Sequence, residues 1–337
     1  MNLVTGATGL LGSHIVEQLL QRGRPVRALV RATSNTGWLA ERGVERAVGD
    51  VGDPASLARA MEGVEVIYHA AARVGDWGRW DDFVRITIDG TANMLAAAKE
   101  VPTLKRFLHV SSISVYGQVD GEGLVLDETA TIGRKLHRWS YYSRSKCEAE
   151  RMALQAYREG LPVTVVRPSW IYGPRDRATL GRLIRMIRTG KAKLLGDGTN
   201  RLNLVYAGNV AEACVLAADH ERSIGEVYNC SNDGVITQAG YFNAIAEALG
   251  CPPVTRRVPY RLAYSVGFLL ECIGHLFRFK NPPMVTRYAV WLSGRKCFFE
   301  TRKAREQLGW QSRVSYEEGI PATVRWYLET VDGKAAD

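Results

Sequence analysis

A glycine-rich turn at the head of the chain restricts its fold more than any other feature. Residues 2–23 read NLVTGATGLLGSHIVEQLLQRG: a short apolar strand, a turn with Gly6, Gly9 and Gly12 in GxxGxxG spacing, then an amphipathic helix. Glycines at that spacing let the turn close, bring backbone N–H groups to a pyrophosphate, and let helix and strand pack tightly. Loops produce such spacing by chance, so it counts only in context. Here a strand precedes it and a helix follows, which points to dinucleotide binding through Gly6, Thr8, Gly9, Leu10, Leu11 and Gly12.

The next strand, PVRALVRATS, bears on which dinucleotide is bound. An acid near its end would hold a ribose 2′-hydroxyl, whereas an arginine accommodates a 2′-phosphate. The sequence offers Arg31 and no carboxylate, so NADP is expected, with NAD as second choice. A strand toward Asp50 follows, with Asp53-Pro54 as a helix start. Asp50 and Val51 are placed against the adenine. In VEVIYHAAA, small residues including Ala70 and Ala71 would let backbone approach the cofactor. Strands alternating with helices predict an α/β fold, a Rossmann-type doubly wound parallel sheet. A smaller, mostly helical C-terminal lobe is expected beside it. The expected division is 1–168 plus about 205–233 for the dinucleotide-binding domain, and about 169–204 plus 234–330 for the substrate lobe.

A formal charge of +9, from 44 Lys+Arg against 35 Asp+Glu, suits an anionic cofactor, substrate or membrane surface. The basic residues do not form one stripe interleaved with aromatics, so no nucleic-acid partner is expected. Six cysteines show neither CxxC nor metal-ligand spacing, which predicts reduced thiols, no metal and a cytoplasmic location. The opening MNLVTG already reads as the first strand, so no signal peptide is expected.

Tyr142 and Lys146 stand at i and i+4 in YYSRSK, on one face of a predicted helix. A phenol with a pKa near ~10 is a poor proton-transfer group at neutral pH, and a neighbouring ammonium would lower that value. Tyr141 has Ser145 at the same offset and lacks this help. Ser112, at the end of a different strand, would hydrogen-bond a substrate oxygen.

The stretches TGATGLLG, HAAA, VSSISVYG, YYSRSK and VRPSWIYGPRD together resemble the extended short-chain dehydrogenase/reductases over nearly the whole chain. Within them the chain is most similar to the 3β-hydroxysteroid dehydrogenase type, including sterol 4α-carboxylate 3-dehydrogenases and 2-alkyl-3-oxoalkanoate reductases. The resemblance implies catalytic roles for Ser112, Tyr142 and Lys146, with Ser111 and Ser114 as weaker candidates for the serine. It sets Pro168 and Ser169 against the nicotinamide, and implies a homodimer.

For the substrate, Trp77, Trp170, Ser114 and Arg175 are expected in the pocket, Trp170 foremost among the tryptophans. Arg177 and Arg201 are further possible carboxylate partners. His69 and His109 read as satisfied core residues, and His137 as lining a loop. Residues 262–279, LAYSVGFLLECIGHLFRF, are the most apolar run, broken by Glu271, His275 and Arg278. They fall short of the ~20 apolar residues of a membrane span. Two readings stand: a lid over an apolar pocket, or a helix in the membrane interface flanked by Arg256, Arg257, Arg261, Arg278 and Lys280. Peripheral membrane contact would then run through residues 260–280.

The leading functional expectation is an NADP-dependent oxidoreductase acting on a secondary alcohol or ketone of a hydrophobic, sterol-like or β-keto acid substrate. The alternative is a nucleotide-sugar epimerase or dehydratase with tightly held cofactor, and a distant third is a non-catalytic NADP sensor. Both Tyr142 and Lys146 are present, which disfavours the sensor.

Overall fold

The computed structural model describes residues 1–177 and 179–332. Seven parallel strands form the central sheet: β1 (Asn2–Thr5), β2 (Val26–Val30), β3 (Glu45–Val48), β4 (Val66–His69), β5 (Arg106–Val110), β6 (Val163–Pro168) and β7 (Val227–Cys230). Their spatial order is 3-2-1-4-5-6-7. The order in which strands are laid down reverses between β1 and β4, which pair in parallel with Thr5 opposite His69. A sheet wound this way binds ligands in the crevice at that switch point, beyond the strands' carboxyl ends.

The main helices are α1 (Leu10–Gln21), α2 (Pro54–Ala60), α3 (Gly90–Lys99), α4 (Tyr141–Arg158), α5 (Thr179–Arg188), α6 (Ala207–Asp219), α7 (Gln238–Ala248), α8 (Tyr260–Leu276), α9 (Arg287–Gly294), α10 (Arg302–Leu308) and α11 (Tyr316–Tyr327). Strands covered on both faces read as continuous apolar runs, as in β6, where all six residues are buried. Alternation divides the strands between two cores. Val4, Ala28, Leu108 and Val166 pack with α1 and α6. Leu3, Leu29, Ile67, Phe107 and Val165 face α2, α3 and α4. The edge strand β3 is half polar and largely exposed, as its position allows.

Beyond β6 the chain builds a third core around Tyr172, Ile184, Tyr241, Ile245 and Ile320. A short parallel pairing of Trp170–Tyr172 with Leu204–Tyr206 runs into it, and a second, Phe298–Phe299 with Val125–Leu126, belongs to a separate small cluster with Ile113 and Tyr116. The stretch after the second pairing returns to the sheet. Ala304, Leu308 and Trp310 join the core under α1 and α6, with the indole of Trp310 donating to the Asn209 carbonyl at 2.8 Å.

α8 is built inside out. Its buried positions are Ala263, Gly267, Glu271 and Gly274, while Leu262, Val266, Leu269, Ile273 and Leu276 are exposed. Among the described residues, no helix is long and apolar enough to cross a membrane.

Candidate active site

The glycine turn meets the demands of a pyrophosphate cradle. Gly6 has φ +67°, and a Cβ there would sit 3.0 Å from the Ala71 amide nitrogen. At Gly12 a Cβ would come within 2.2 Å of the Gly6 carbonyl oxygen, so this position locks α1 against β1. Gly9 caps α1 with no side-chain acceptor, and the first turn carries no acid. The first amides of α1 therefore face outward uncompensated, the usual provision for an anion. Thr8 is exposed beside them, with Leu10 half-buried and Leu11 buried.

At the end of β2, Val30 is buried and Arg31 exposed. The Asp50 carboxylate accepts from the Gly52 amide at 2.8 Å, and Val51 is buried with its carbonyl held by Asn93. Ala70 and Ala71 lie across from Gly6, with the Ala71 amide donating to Thr5 Oγ1 at 3.0 Å. These residues fit an adenine dinucleotide lying along the sheet's edge.

Ser112 caps a single turn of tight helix, Ile113–Tyr116, and its Oγ accepts from the Ser114 amide at 3.2 Å. The Tyr142 hydroxyl, in the first turn of α4, lies within reach of the same serine hydroxyl. Burial raises the Tyr142 phenol above its usual value and the nearby Ser112 hydroxyl opposes that rise. Lys146, one turn along, is buried and donates from Nζ to the Val110 carbonyl at 2.7 Å. Burial pulls its pKa down to about 8, against the upward pull of Glu150. The sequence led us to expect Lys146 to lower the phenol's pKa. Instead burial outweighs the other influence on Tyr142, and Lys146 is not among the groups that lower its phenol.

Behind Lys146 lies a polar network that sequence reading missed. Glu150 is fully buried and accepts from Ser111 Oγ at 2.5 Å and from Arg167 Nε at 3.0 Å. Arg167 reaches on to the Tyr116 hydroxyl at 2.7 Å, which in turn donates to Asn229. The available signal was an acid at i+4 from the lysine. Ser111 is thereby committed to Glu150, leaving Ser112 as the serine at Tyr142. His69 is satisfied as expected, by Thr5 and Thr91. His109 is not: both its ring nitrogens are buried without a partner. Burial lowers both imidazoles, helped by the charge of Lys146.

A cleft opens from Tyr142 between α4, α8 and α9. Trp77, Trp139 and His275 stack along it, with ring centroids 4.5 Å and 4.3 Å apart on either side of the histidine. Glu271 and Arg287 close its far side by a double contact, each at 2.7 Å. His137 lines it too, near the Tyr264 hydroxyl at 3.3 Å. Tyr141 packs on Trp80 and Phe83.

Two expected substrate residues lie elsewhere. Trp170 begins its own short strand and turns into the third core, edge-on to Tyr241 at 6.0 Å. Arg175 is paired with Glu17 on α1 and stacked over Trp38 at 4.9 Å. It borders a separate surface groove whose lining excludes Ser112, Tyr142 and Lys146. Arg201 is exposed, over the Phe298 ring, and Arg177 is exposed. Pro168 ends β6, and the Ser169 amide donates to the Cys230 carbonyl at 2.9 Å. The Ser169 and Ser114 hydroxyls are buried without partners. The six cysteines are unpaired, and among the described residues no cluster of metal-ligating side chains occurs.

Strand order, an uncapped glycine turn and the Ser112–Tyr142–Lys146 grouping together describe an extended short-chain dehydrogenase/reductase. Over residues 2–231 the chain matches the NAD dependent epimerase/dehydratase family, and it belongs to that family. It is 32% identical to a 2-alkyl-3-oxoalkanoate reductase of Shewanella oneidensis, over 94% of this chain and 84% of that one. It is 28% identical to the mouse sterol-4-alpha-carboxylate 3-dehydrogenase, decarboxylating, over 96% of this chain and 89% of that one. The crystal structure of gox2253 superposes with a TM-score of 0.81 at 29% identity, covering 98% of each chain. The protein is accordingly an enzyme of the nicotinamide-dependent dehydrogenase/reductase type.

Proposed function

We propose that the protein is an NADP-dependent reductase or dehydrogenase for a secondary alcohol or ketone on a hydrophobic molecule, with Tyr142 as the proton donor and acceptor. The observation that carries this reading is the placement of Ser112 beside Tyr142, with Lys146 one turn along, where a cleft walled by Trp77, Trp139 and His275 begins. When bound, the cofactor supplies or accepts the hydride. The chain's own residues do the rest. Ser112 holds the substrate oxygen beside the Tyr142 hydroxyl, and Tyr142 gives its proton to that oxygen as the carbonyl becomes an alcohol. Lys146, in the same buried site, stabilises the phenolate left behind. A phenol held above its usual pKa is protonated at neutral pH, the state that ketone reduction requires. Arg31, with no carboxylate beside it, favours the 2′-phosphate of NADP.

Both relatives compared above bear names describing molecules with a carboxylate two carbons from the reacting oxygen's carbon. A β-keto acid or its β-hydroxy counterpart is therefore the substrate class we favour. The test is oxidation of NADPH by long-chain 3-keto esters and acids. A firmly retained NAD without net turnover would instead support the epimerase/dehydratase reading, which shares Ser112, Tyr142 and Lys146.

We further propose that α8 rests on an anionic bilayer. Among the described residues, nine of the fifteen exposed large hydrophobics fall between Leu262 and Met284. Exposed Arg261, Arg278 and Lys280 flank them, and Glu271, the sole acid in that stretch, is buried on Arg287. Such a face complements anionic headgroups over acyl chains, whereas a second copy would set arginine against arginine. Flotation with vesicles containing phosphatidylserine should carry the protein up, and Leu269→Glu should abolish it. Flotation unaffected by Leu269→Glu, or a dimer broken by that change, would contradict the proposal.

A further inference from the structure

Arg295 poses a problem that the site described above does not solve. It follows α9 and is only 2% exposed, yet Nε, Nη1 and Nη2 all lack a hydrogen-bond partner. Its guanidinium lies over the rings of Trp291 at 4.9 Å and Phe299 at 4.8 Å. Its own amide donates to the Trp291 carbonyl at 2.9 Å, so the backbone is fixed as well. A guanidinium cannot shed its proton at accessible pH. A buried, unpaired one is among the costliest arrangements a protein can hold, and removing or supplying a partner changes that balance strongly.

Among the described residues no acid pairs with it, and Asp120 is the carboxylate within electrostatic reach. Its Oδ1 is already taken up by the amides of Gly121, Lys296 and Cys297. Cys297 is buried and its thiol is pushed up, so it carries no charge. The indole nitrogen of Trp291, against the same guanidinium, is likewise buried without an acceptor. Two adjacent side chains thus offer N–H donors and nothing to receive them.

Tyr288 stands between this place and the catalytic cleft. It lines that cleft with Tyr142, packs on Trp291 with centroids 5.9 Å apart, and lies within electrostatic reach of both Tyr142 and Arg295. Around Arg295 the walls are apolar: Ile113, Tyr116, Cys297 and Phe299 form one buried cluster. No second buried cation stands beside it among the described residues to balance a doubly charged group.

We propose that Arg295, with the Trp291 indole, binds the carboxylate of the substrate. The rings of Trp291 and Phe299 lie against the guanidinium, and its N–H groups are what it has left to offer a ligand. A planar, acceptor-only carboxylate meets those groups with two parallel hydrogen bonds. The apolar wall then accommodates the chain of an acid, and the acid group is held at a fixed distance from the carbon facing Tyr142. This rests on the oxidoreductase reading, and it makes the preferred substrate an acid rather than a neutral ketone.

Calorimetric binding tests it apart from turnover. The probes are 3-hydroxydecanoate and its methyl ester, titrated into NADP-loaded wild type, Arg295→Met and Arg295→Lys. Wild type should bind the acid at least about tenfold more tightly than the ester, a difference that charge-assisted pairing readily supplies. Arg295→Met should equalise the two, and Arg295→Lys should fall between. Unchanged ester binding shows that Arg295→Met is folded. Should that variant not fold, the wild-type preference over the ester, and over the neutral amide, decides the matter. Equal binding of acid and ester by wild type would overturn the proposal, and so would tighter binding of a nucleoside diphosphate than of the acid. If neither probe is turned over while the acid preference persists, the functional reading fails and the carboxylate site stands.

Discussion

The hydroxyl of Ser112, just past the end of β5, lies beside that of Tyr142, in the first turn of α4. Two distant stretches of sequence thereby fix one proton at one place. Ser112→Ala should lower kcat for ketone reduction by roughly 10²-fold, within the range for loss of one oxyanion donor. NADPH binding should be nearly unchanged. Steady-state kinetics beside a fluorescence titration of the cofactor would check both, and a loss confined to cofactor affinity would contradict the assignment.

Arg31→Ala should weaken NADPH binding by tenfold or more while leaving NADH binding within about threefold, since it removes a charge-assisted contact made only to the 2′-phosphate. Parallel titrations with the two cofactors decide this. Equal losses would show that Arg31 does not read the phosphate.

The pH profile of reduction should report Lys146. Its pKa is pulled to about 8 by burial and held up by Glu150. The ammonium that supports the developing phenolate is therefore lost as pH rises through that value, and the rate should fall above it. Removing the upward pull with Glu150→Gln should move this fall to lower pH. A limb that stays in place would mean that another group titrates there.

Acid stability should reflect the buried histidines. Burial holds His69 down to about 3, with His109 also well below its usual value. Both stay neutral in the folded protein while the unfolded chain takes up protons below about 6.5. Stability is thus fully present above that pH and is lost as pH falls below it. His109 makes no hydrogen bond to break. His109→Leu should accordingly flatten the decline in Tm between neutral pH and pH of about 5. An unchanged slope would contradict this.

What could be read from sequence was what depends on near neighbours along the chain. The Gly6–Gly12 turn, the strand-helix alternation and the i, i+4 pairing of Tyr142 with Lys146 are local patterns. Trp170 and Arg175 misled because both follow Pro168–Ser169 closely, yet each belongs to another contact. Trp170 pairs in register with Leu204 and turns to the third core, and Arg175 finds Glu17 on α1. Arg295 and His109 left no trace in periodicity. Their isolation exists only once Phe298–Phe299 pairs with Val125–Leu126, and once β4 and β5 lie side by side. Glu150 was within reach, since an acid one turn past a buried lysine is rarely solvated. Its partner Arg167 comes from a different strand and could not be inferred.

The most direct test of the central claim is the initial rate of NADPH oxidation by a long-chain 3-keto ester, measured for wild type, Tyr142→Phe and Tyr141→Phe with cofactor affinity determined alongside. The expected result is a loss of at least about 10²-fold for Tyr142→Phe, near-normal NADPH affinity in all three, and only a small change for Tyr141→Phe. Undiminished turnover by Tyr142→Phe, or a greater loss in Tyr141→Phe, would contradict the assignment of the proton to Tyr142.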